Sequence, residues 1–396
     1  MITLDKQFDK LPKKVEFCKN CVVSNQRPRT ELNDQGICSA CEWAFEKKNK
    51  VDWSLREREL NELLNQHRKS NGEFDVIVPS SGGKDSAFVA HQLKFKYNMN
   101  PICVTWMPAE WSHIGRSNLD NFAKKGFTTK VALHNGNIHR KLCRLGFEYL
   151  GQPFAPFIYG QKAYPYHIAN QLNIGLIMYG ENGELEYGGS TKYKNLSQEP
   201  VSEWQEHYFK GTSVYKLIMM GYEKGLFNKK DIKFNQFKYY QLPDEEIIKK
   251  KKIEMHWYSY FKKWIPHENY YYATKYTGFR PNNFGRSEGT YTKYASLDDK
   301  LDGLAFYLSY IKFGLGRASR DAQQDIRMDH ITREEGVRLV HLYDGEFPQK
   351  YFRWYLEYLQ IDEKTFYEII DFYKSLSNVW KKVYGKWKLN KKYIVS

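Results

Sequence analysis

Residues 74–86 read FDVIVPSSGGKDS and indicate the fold class of the chain. Residues 74–78 form a short, nearly continuous apolar run rich in β-branched side chains, which is typical of a strand buried in a parallel sheet. Pro79 has no N–H group with which to extend a ladder, and two serines and two glycines follow it. An apolar pattern with helical spacing begins at Ala87. The sequence therefore predicts a strand, a glycine-rich turn and a helix in immediate succession.

The serines and glycines after this strand are suited to binding a phosphate group. Gly82 and Gly83 carry no Cβ atom, so the backbone can approach an anion closely. The free N–H groups at the start of the following helix favour negative charge, and the helix dipole adds to this effect. Three neighbouring side chains supply hydroxyl donors or positive charge: Ser81, Lys84 and Ser86. Asp85 would repel a phosphate unless a Mg²⁺ ion lay between them, so it is predicted to bind Mg²⁺.

Strands and helices alternate after this turn, as a doubly wound α/β fold requires. Strands are predicted at residues 101–106, 128–133 and 174–179, and helices near residues 116–125, 138–150 and 162–172. In such sheets ligands bind beyond the carboxyl ends of the strands. Thr105 and Trp106 at the end of the second strand, and residues 180–182 after the fourth, are therefore candidates for ligand contacts.

Two later segments carry charged residues beside glycines. The first, GENGE, contains Glu181 and Glu184, whose carboxylates follow a predicted strand and could hold Mg²⁺ or orient a nucleophile. A surface turn would have a similar sequence, so that alternative stays open. The second, KFGLGRASRD, contains Lys312 and Arg317, which could clamp phosphates or an anionic substrate. A structural role at the start of a helix is the alternative there.

Four of the six cysteines occur near the start of the sequence in two CxxC pairs. Cys18 and Cys21 are separated from Cys38 and Cys41 by sixteen residues, a spacing typical of a four-cysteine zinc ribbon. Four thiolates leave no open position on a tetrahedral ion, so the predicted Zn²⁺ is structural. An iron–sulfur cluster and redox-active dithiols are the alternatives.

Several polar residues precede apolar patterns with helical spacing and are predicted to cap helices. These residues are Ser54, Asp244, Ser296, Thr332 and Asp362. The first of these helices is predicted to cover residues 55–65, the second to extend to about residue 255, and the third to end at Gly314. The last sixty residues are thus predicted to be helical.

Length and composition indicate a globular protein with more than one domain. The chain has 396 residues, of which 41% are hydrophobic and 27% charged, so it can bury a large core. Its formal net charge of +15 suits an anionic ligand, although scattered surface lysines would give the same value. The sequence has no signal peptide and no run of ~20 apolar residues, which predicts a cytoplasmic protein that does not enter a membrane.

The six residues SGGKDS, numbers 81–86, resemble the pyrophosphate loop of the N-type ATP pyrophosphatases, which cleave ATP between its α and β phosphates. They differ from the P-loop of kinases and GTPases, in which four residues separate the first glycine from Gly-Lys-Ser/Thr. Combined with the zinc ribbon, GENGE and KFGLGRASRD, the loop makes nearly the whole chain similar to the bacterial N-acetyl sugar amidotransferases. That family acts in lipopolysaccharide (LPS) and surface-glycan biosynthesis.

The resemblance implies a reaction in which ATP adenylates the acetamido group of a nucleotide-linked N-acetyl sugar and ammonia then gives an acetamidino group. AMP and pyrophosphate are released, and Mg²⁺ is required. The residues implied to bind ATP are Ser80, Ser81, Gly82, Gly83, Lys84, Asp85, Ser86, Thr105, Trp106, Gly180 and Asn182. Those implied to act in catalysis are Lys84, Asp85, Glu181, Glu184, Lys312 and Arg317.

The motifs also suggest a division of the chain. We predict a zinc ribbon at 1–50, a linker helix at 51–73, an ATP-binding α/β domain at 74–190, a substrate-binding and phosphate-clamp region at 191–330, and a helical region at 331–396. The pyrophosphate loop and GENGE both fall within the α/β domain. The second phosphate clamp falls outside it.

Ammonia must be supplied to such an enzyme, and a glutaminase requires a nucleophilic cysteine. Cys103 and Cys143 lack a glutaminase sequence context, so we predict a separate glutaminase partner resembling the subunits of imidazole glycerol phosphate synthase. A tRNA-modifying enzyme of the thiolase or lysidine type is the alternative, because such enzymes share the loop. A third CxxC pair to carry sulfur is missing from the sequence, so nucleic acid is not the expected partner. A non-enzymatic scaffold with an inactive loop is the third possibility.

Overall fold

A five-stranded parallel sheet forms the centre of the protein, seen here in a computed structural model that describes residues 1–198, 200–230 and 232–396. Its strands are β1 (Val76–Pro79), β2 (Pro101–Trp106), β3 (Thr129–Ala132), β4 (Leu176–Tyr179) and β5 (Glu254–Trp257). Their order is β3-β2-β1-β4-β5, so the direction of winding changes between β1 and β4. Ligands of such sheets bind beyond the carboxyl ends of the strands, at this change of direction.

Helices cover both faces of the sheet. Those before β5 are α1 (Ser39–Asn49), α2 (Trp53–His67), α3 (Lys84–His91), α4 (His113–Lys124), α5 (Gly136–Leu150), α6 (Ala155–Leu172), α7 (Gly183–Tyr187), α8 (Trp204–His207), α9 (Val214–Glu223) and α10 (Glu245–Lys250). Those after it are α11 (Tyr258–Phe261), α12 (Pro266–Tyr276), α13 (Asp302–Phe313), α14 (Arg317–Arg327), α15 (Arg333–Tyr343), α16 (Phe352–Leu359) and α17 (Glu363–Leu376). A hairpin of β6 (Trp380–Val383) and β7 (Lys386–Leu389) follows, so the prediction that the last sixty residues are helical is wrong there. Tyr384 and Gly385 both have a positive φ, as a tight hairpin turn requires.

Three hydrophobic cores join these layers. The first packs α5 and α6 against one face of the sheet, and the second packs α2, α3 and α11 against the other. The third core joins α5 to α13, α16 and α17. Throughout the described ranges, the structure contains no helix with the length and apolar character needed to span a membrane.

The predicted α/β class is confirmed, and β2 has the predicted bounds. The strand predicted at 74–78 begins two residues later and includes Pro79, which pairs with Val104. The proline is tolerated because the next N–H group, that of Ser80, is the one that donates to Val104 O, at 2.9 Å. The nitrogen of Pro79 therefore faces β4, where pairing has already ended at Ile77.

The prediction of a helix from Asp244 to about residue 255 is wrong for its second half. Helix α10 ends at Lys250, and Lys252 has a φ of 48°, a left-handed conformation that stops a helix. Strand β5 follows and pairs with β4. Four residues are too few to show the alternation by which a strand is recognised in a sequence.

Of the five predicted helix caps, two are confirmed, two are wrong, and Asp244 stands at the start of α10 without a capping hydrogen bond from its side chain. The side chains of Thr332 and Asp362 accept N–H groups at the starts of α15 and α17. Ser54 does not cap α2, because the carboxylate of Asp52 accepts the N–H groups there. Ser296 has a φ of 55°, and α13 begins only at Asp302, so a left-handed residue and a further loop precede the helix.

Lys312 belongs to the protein interior. Its Nζ donates to Asp5 Oδ2 at 2.8 Å and to Leu150 O at 2.9 Å, and its side chain is 2% exposed. The ion pair thereby fastens the segment before α1 to α13 and to the end of α5. The structure contradicts the prediction that Lys312 neutralises a transition state or holds a substrate, because both partners are structural.

Replacing Asp5 with alanine should lower the free energy of unfolding by about 3–5 kcal/mol, because the charge of Lys312 would stay buried without its partner. Urea denaturation followed by circular dichroism measures this change. Glu206→Ala is the matched control, since it breaks the exposed ion pair of Glu206 with Lys10, 2.8 Å long, and should cost less than about 1 kcal/mol. Equal losses in the two variants would contradict a structural role for the buried pair.

Candidate functional site

A cleft opens where the winding of the sheet changes direction, and it has two chambers with shared walls. The loop chamber, of about 330 Å³, is lined by the loop after β1, the end of β2 and residues 294–299. The basic chamber, of about 560 Å³, is lined by residues 27–29, the end of β4, the start of α7, and parts of α13 and α14. Asp85, Ser86 and Arg317 belong to both chambers.

The loop after β1 is held in one tight conformation. Gly82 has a φ of 79°, and a Cβ atom there would lie 2.7 Å from the Cα of Leu119 in α4. The hydroxyl of Ser80 lies 3.0 Å from that of Ser86 and accepts the N–H of Gly82 at 3.2 Å. Gly83 then precedes α3, whose first turn has no side-chain cap. The N–H groups of this turn are therefore available to an anion.

Lys84 and Asp85 neutralise each other at the start of α3. They form an ion pair, and Asp85 also accepts the side-chain amide of Asn269 at 3.0 Å. The Nζ of Lys84 lies 5.4 Å from the ring centre of Tyr294 in the loop chamber. An incoming phosphate would take over Lys84 and release the Asp85 carboxylate to a metal ion.

Glu181 lies within the electrostatic influence of Asp85, although it comes from the loop after β4. Its carboxylate accepts the hydroxyl of Tyr187 at 3.0 Å and the indole N–H of Trp264 at 2.8 Å. Burial raises the pKa of Glu181, and the negative charge of Asp85 raises it further. Two carboxylates from neighbouring strands thus face the cleft, and together they could hold a divalent cation.

Glu184 and Asn182 have structural partners instead. Arg29 donates to both carboxylate oxygens of Glu184, at 2.8 and 2.7 Å. Burial would raise the pKa of Glu184, but the hydrogen bonds and charge of Arg29 outweigh it and lower the pKa to about 2. Asn182 is buried and caps α7 by accepting the N–H of Glu184 at 3.0 Å. The predicted roles of Glu184 in metal or ammonia binding and of Asn182 in ATP binding therefore do not fit their contacts.

The strand ends predicted to contact the nucleotide line the cleft. Thr105 and Trp106 border the loop chamber, and the hydroxyl of Thr105 donates to Ser80 O. The Trp106 ring packs within 5.5 Å of the rings of Tyr164, Tyr240 and His134, so it is largely a core residue. Gly180 borders the basic chamber.

Arg317 faces the cleft as predicted, at the start of α14. Its Nε lies 3.1 Å from an oxygen of Asp321. Burial would lower the pKa of Arg317, but the charges of Asp321 and Asp302 raise it above its usual range. Arg317 is therefore a permanent positive charge between the two chambers, where it could contact phosphates.

Three aspartates that sequence reasoning missed form the wall opposite the SGGKDS loop. Asp298 accepts the hydroxyl of Ser81, and Asp299 accepts the N–H groups of Ala109 and Leu301 at 2.7 and 2.8 Å. Burial raises the pKa of Asp298 to about 6 and that of Asp299 to about 7. Asp302 borders both chambers. In the sequence these residues are visible as three aspartates within five positions, which the predicted cap at Ser296 places in the first turns of a helix.

The four cysteines of the CxxC pairs form a buried cluster, as predicted. The Sγ atoms of Cys18 and Cys41 lie 3.9 Å apart, and those of Cys21 and Cys38 lie 3.7 Å apart. A tetrahedral ion with Zn–S bonds of about 2.3 Å separates its sulfur ligands by about 3.8 Å. The cluster therefore fits zinc, which would crosslink residues that have little other core.

The cysteine module, residues 18–41, is attached to the loop after β4. The hydroxyl of Thr30 donates to Gly188 O at 2.5 Å, and that of Ser39 donates to Gly189 O at 3.2 Å. Lys47 at the end of α1 forms a buried ion pair with Glu186 of α7, at 2.7 Å. The module is thus part of the cleft wall rather than a separate appendage.

A second group of possible metal donors lies beside the loop chamber. Donor atoms of His267, Asp325 and His330 lie within 4.8 Å of one another. Asp325 also accepts the hydroxyl of Tyr291 at 2.6 Å, and the hydroxyl of Tyr294 lies 3.4 Å from Nδ1 of His267. These contacts satisfy the group without an ion, so we assign no metal to it.

Comparison with known proteins identifies two similarities. Residues 288–393 match the family model described as LPS biosynthesis protein WbpG-like, C-terminal domain. This segment supplies Asp298, Asp302 and Arg317 to the cleft and continues through α17. A protein of Methanocaldococcus jannaschii described as Uncharacterized protein MJ1599 is 32% identical over 89 residues, which are 22% of this chain and 31% of that protein. The C-terminal match points to glycan biosynthesis.

Cys38→Ser should abolish metal binding, because three thiolates cannot complete the tetrahedral site. Metal analysis of the purified protein should give about one zinc per chain in the wild type and close to none in the variant. Cys103→Ala is the matched control, since Cys103 is also buried but lies in β2, and it should keep the metal. Iron in place of zinc in the wild type would contradict the zinc assignment.

Asp299→Asn should change how stability depends on pH. The pKa of Asp299 is raised from 3.8 to about 7 in the folded protein, so the folded state binds this proton more tightly than the unfolded chain. The stability that results is complete below pH about 4 and is lost as pH rises through about 7. The variant should therefore gain stability relative to the wild type as pH rises from about 4 to about 7, as measured by urea denaturation. A constant difference across that range would contradict the raised pKa.

Proposed function

We propose that this protein is an ATP-dependent amidotransferase of LPS or related glycan biosynthesis. It would convert the acetamido group of a nucleotide-linked N-acetyl sugar into an acetamidino group. The observation that carries this proposal is the position of the SGGKDS loop, which ends the middle strand and opens on a cleft. The opposite wall of that cleft comes from the segment similar to LPS biosynthesis proteins. The basic chamber of about 560 Å³ offers room for a sugar beside the loop.

The loop chamber would bind ATP. Its phosphates would lie on Gly83 and the first turn of α3, with the adenine towards Thr105. Lys84 would donate to the phosphate oxygens, and Asp85 and Glu181 would hold Mg²⁺. When bound, this ion would neutralise charge on the departing pyrophosphate.

Activation is needed because an amide oxygen is a poor leaving group. The acetamido oxygen would attack the α-phosphorus of ATP, and the bond from this phosphorus to the pyrophosphate would break. Ammonia would then use its electron pair to attack the acetamido carbon. The former amide oxygen would leave with AMP, and the added nitrogen would lose a proton. Amide, ammonia and ATP thus become amidine, AMP and pyrophosphate.

The charges of the cleft suit both halves of this reaction. Lys84 and Arg317 would stabilise negative charge as pyrophosphate departs. An amidine is a cation at neutral pH, so the carboxylate of Asp302 would pair with the product. Burial raises the pKa of Asp302, which prepares this carboxylate to accept the proton that the attacking nitrogen loses.

A separate glutaminase would supply the ammonia. Cys103 lies in β2 and Cys143 in α5, and both are fully buried at 0% exposure. Burial raises the pKa of each thiol above its usual range, which disfavours the nucleophilic thiolate. The other four cysteines form the metal cluster. This distribution supports a partner subunit as the source of ammonia.

The test is pyrophosphate release from ATP in the presence of ammonium chloride and a panel of nucleotide-linked N-acetyl sugars. We expect release that depends on one of the sugars, with a product in which NH has replaced O by mass spectrometry. Lys84→Met should lower kcat/KM by about 10²–10³, because it removes charge from the departing pyrophosphate. Lys124→Met, at an exposed position of α4, is the matched control.

Bulk tRNA is the contrasting substrate in the same assay. Release that depends only on tRNA would move the protein to the tRNA-modifying enzymes, and the sugar proposal would be dropped. Release that needs glutamine and no added ammonium would contradict the proposed glutaminase partner.

A further inference from the structure

The cysteine module brings two arginines to the basic chamber. Both Arg27 and Arg29 lie between the two CxxC pairs and line this chamber. A module that serves only to stabilise the fold has no need to place cations at the wall of a cleft. The two arginines differ in how completely their guanidinium groups are hydrogen-bonded.

Arg29 has a structural role. Besides both oxygens of Glu184, its guanidinium donates to the carbonyl oxygens of Glu206 and His207, at 3.3 and 3.1 Å. These four hydrogen bonds join the module to α7 and α8. The positive charge of Arg29 is balanced by Glu184, so little of it is left for a ligand.

Arg27 is bound far less completely. Its one hydrogen bond runs from Nη2 to Gly183 O and is 3.5 Å long, at the limit of such an interaction. Its Nη1 is buried without a hydrogen-bond partner, and the structure shows no ion pair for Arg27 within the described ranges. A guanidinium has five N–H donors, and leaving buried donors unpaired costs free energy. Arg27 therefore lies within the influence of the Glu184 charge but keeps a buried N–H donor that a ligand could use.

Two further basic residues, Arg320 and Lys210, line the same chamber. Arg320 lies over the ring of Tyr187, 3.8 Å from its centre, and its Nε is buried without a hydrogen-bond partner in the described part of the chain. Lys210 donates to the amide oxygen of Gln7 at 3.1 Å. Burial and the nearby charge of Lys312 lower the pKa of Lys210 to about 7. A bound anion would relieve the repulsion among these groups.

The different ligands proposed for the two chambers indicate which anion the basic chamber would bind. The SGGKDS loop, which would bind ATP, lines the loop chamber. This leaves the basic chamber for the acceptor, which is the nucleotide-linked sugar of the proposed reaction. The shared walls at Asp85 and Ser86 would let the reacting groups of the two ligands meet. Cations that line the basic chamber alone would then contact a part of the acceptor other than its acetamido group.

We infer that Arg27, together with Arg320 and Lys210, binds an oxyanion of the acceptor, so that the cysteine module forms part of the acceptor site. The inference rests on the proposed function. The oxyanion would be either the diphosphate that links the sugar to its nucleotide or a carboxylate on the sugar ring. Both offer several acceptor oxygens to a guanidinium.

Calorimetric binding to the zinc-loaded, full-length protein tests this inference. The probes are UDP for the diphosphate, glucuronic acid for the carboxylate, and a non-hydrolysable ATP analogue with Mg²⁺ for the loop chamber. Arg27→Gln should weaken binding of UDP or of glucuronic acid about tenfold or more, since it removes a charge-assisted contact. The ATP analogue should bind within about twofold of the wild type. Arg58→Gln, at an exposed position of α2, should change neither affinity.

The outcomes separate the inference from the proposed function. Weaker binding of UDP alone would assign the diphosphate, and weaker binding of glucuronic acid alone would assign the carboxylate. Unchanged binding of both, or weaker binding of the ATP analogue alone, would overturn the inference while leaving the amidotransferase proposal standing. The proposed function fails if the wild type does not bind the ATP analogue and releases no pyrophosphate in the presence of any sugar. This conclusion would hold whatever Arg27 binds.

Discussion

The close contact between the loop after β1 and the backbone of α4 is the constraint on which the cleft depends. Gly82 turns in a left-handed conformation and leaves no space for a side chain against Leu119. Because the turn is so tight, α3 begins almost directly after β1, and its first turn lies at the carboxyl edge of the sheet. A wider turn would carry Lys84 and Asp85 away from Glu181. The loop after β4 and the aspartate-rich wall would then no longer form a cleft with the SGGKDS loop.

The parts of the fold that depend on neighbouring residues could be predicted from the sequence. Strand β2, the cap at Thr332 and the cysteine cluster each follow from a pattern within a short segment. Positions that depend on distant partners could not. Lys312 and Arg317 both stand beside glycines, yet one pairs with Asp5, 307 positions away, and only the other faces the cleft. Their local sequences contain no sign of this difference.

Positive and negative side chains are distributed unevenly across the cleft, and the proposed reaction would explain this arrangement. An enzyme that joins ATP to a nucleotide-linked sugar must hold two polyanions side by side against their mutual repulsion. Arg317 borders both chambers, and Arg27 and Arg320 line the basic chamber alone. Asp302 also borders both chambers, so its carboxylate could face a cationic product. The cysteine module helps to maintain this arrangement, since Arg29 holds it against Glu184.

The distances along the chain between cleft residues also determine when the cleft can form. Ser81 and Asp298 are 217 positions apart, and Arg29 and Glu184 are 155 positions apart. Contacts across such separations form late in folding, because closing a long loop costs entropy before any contact repays it. During synthesis the SGGKDS loop leaves the ribosome long before residues 294–299 have been made. A nascent chain therefore carries the SGGKDS loop without its opposite wall, and the cleft is incomplete until the C-terminal segment has folded against this loop.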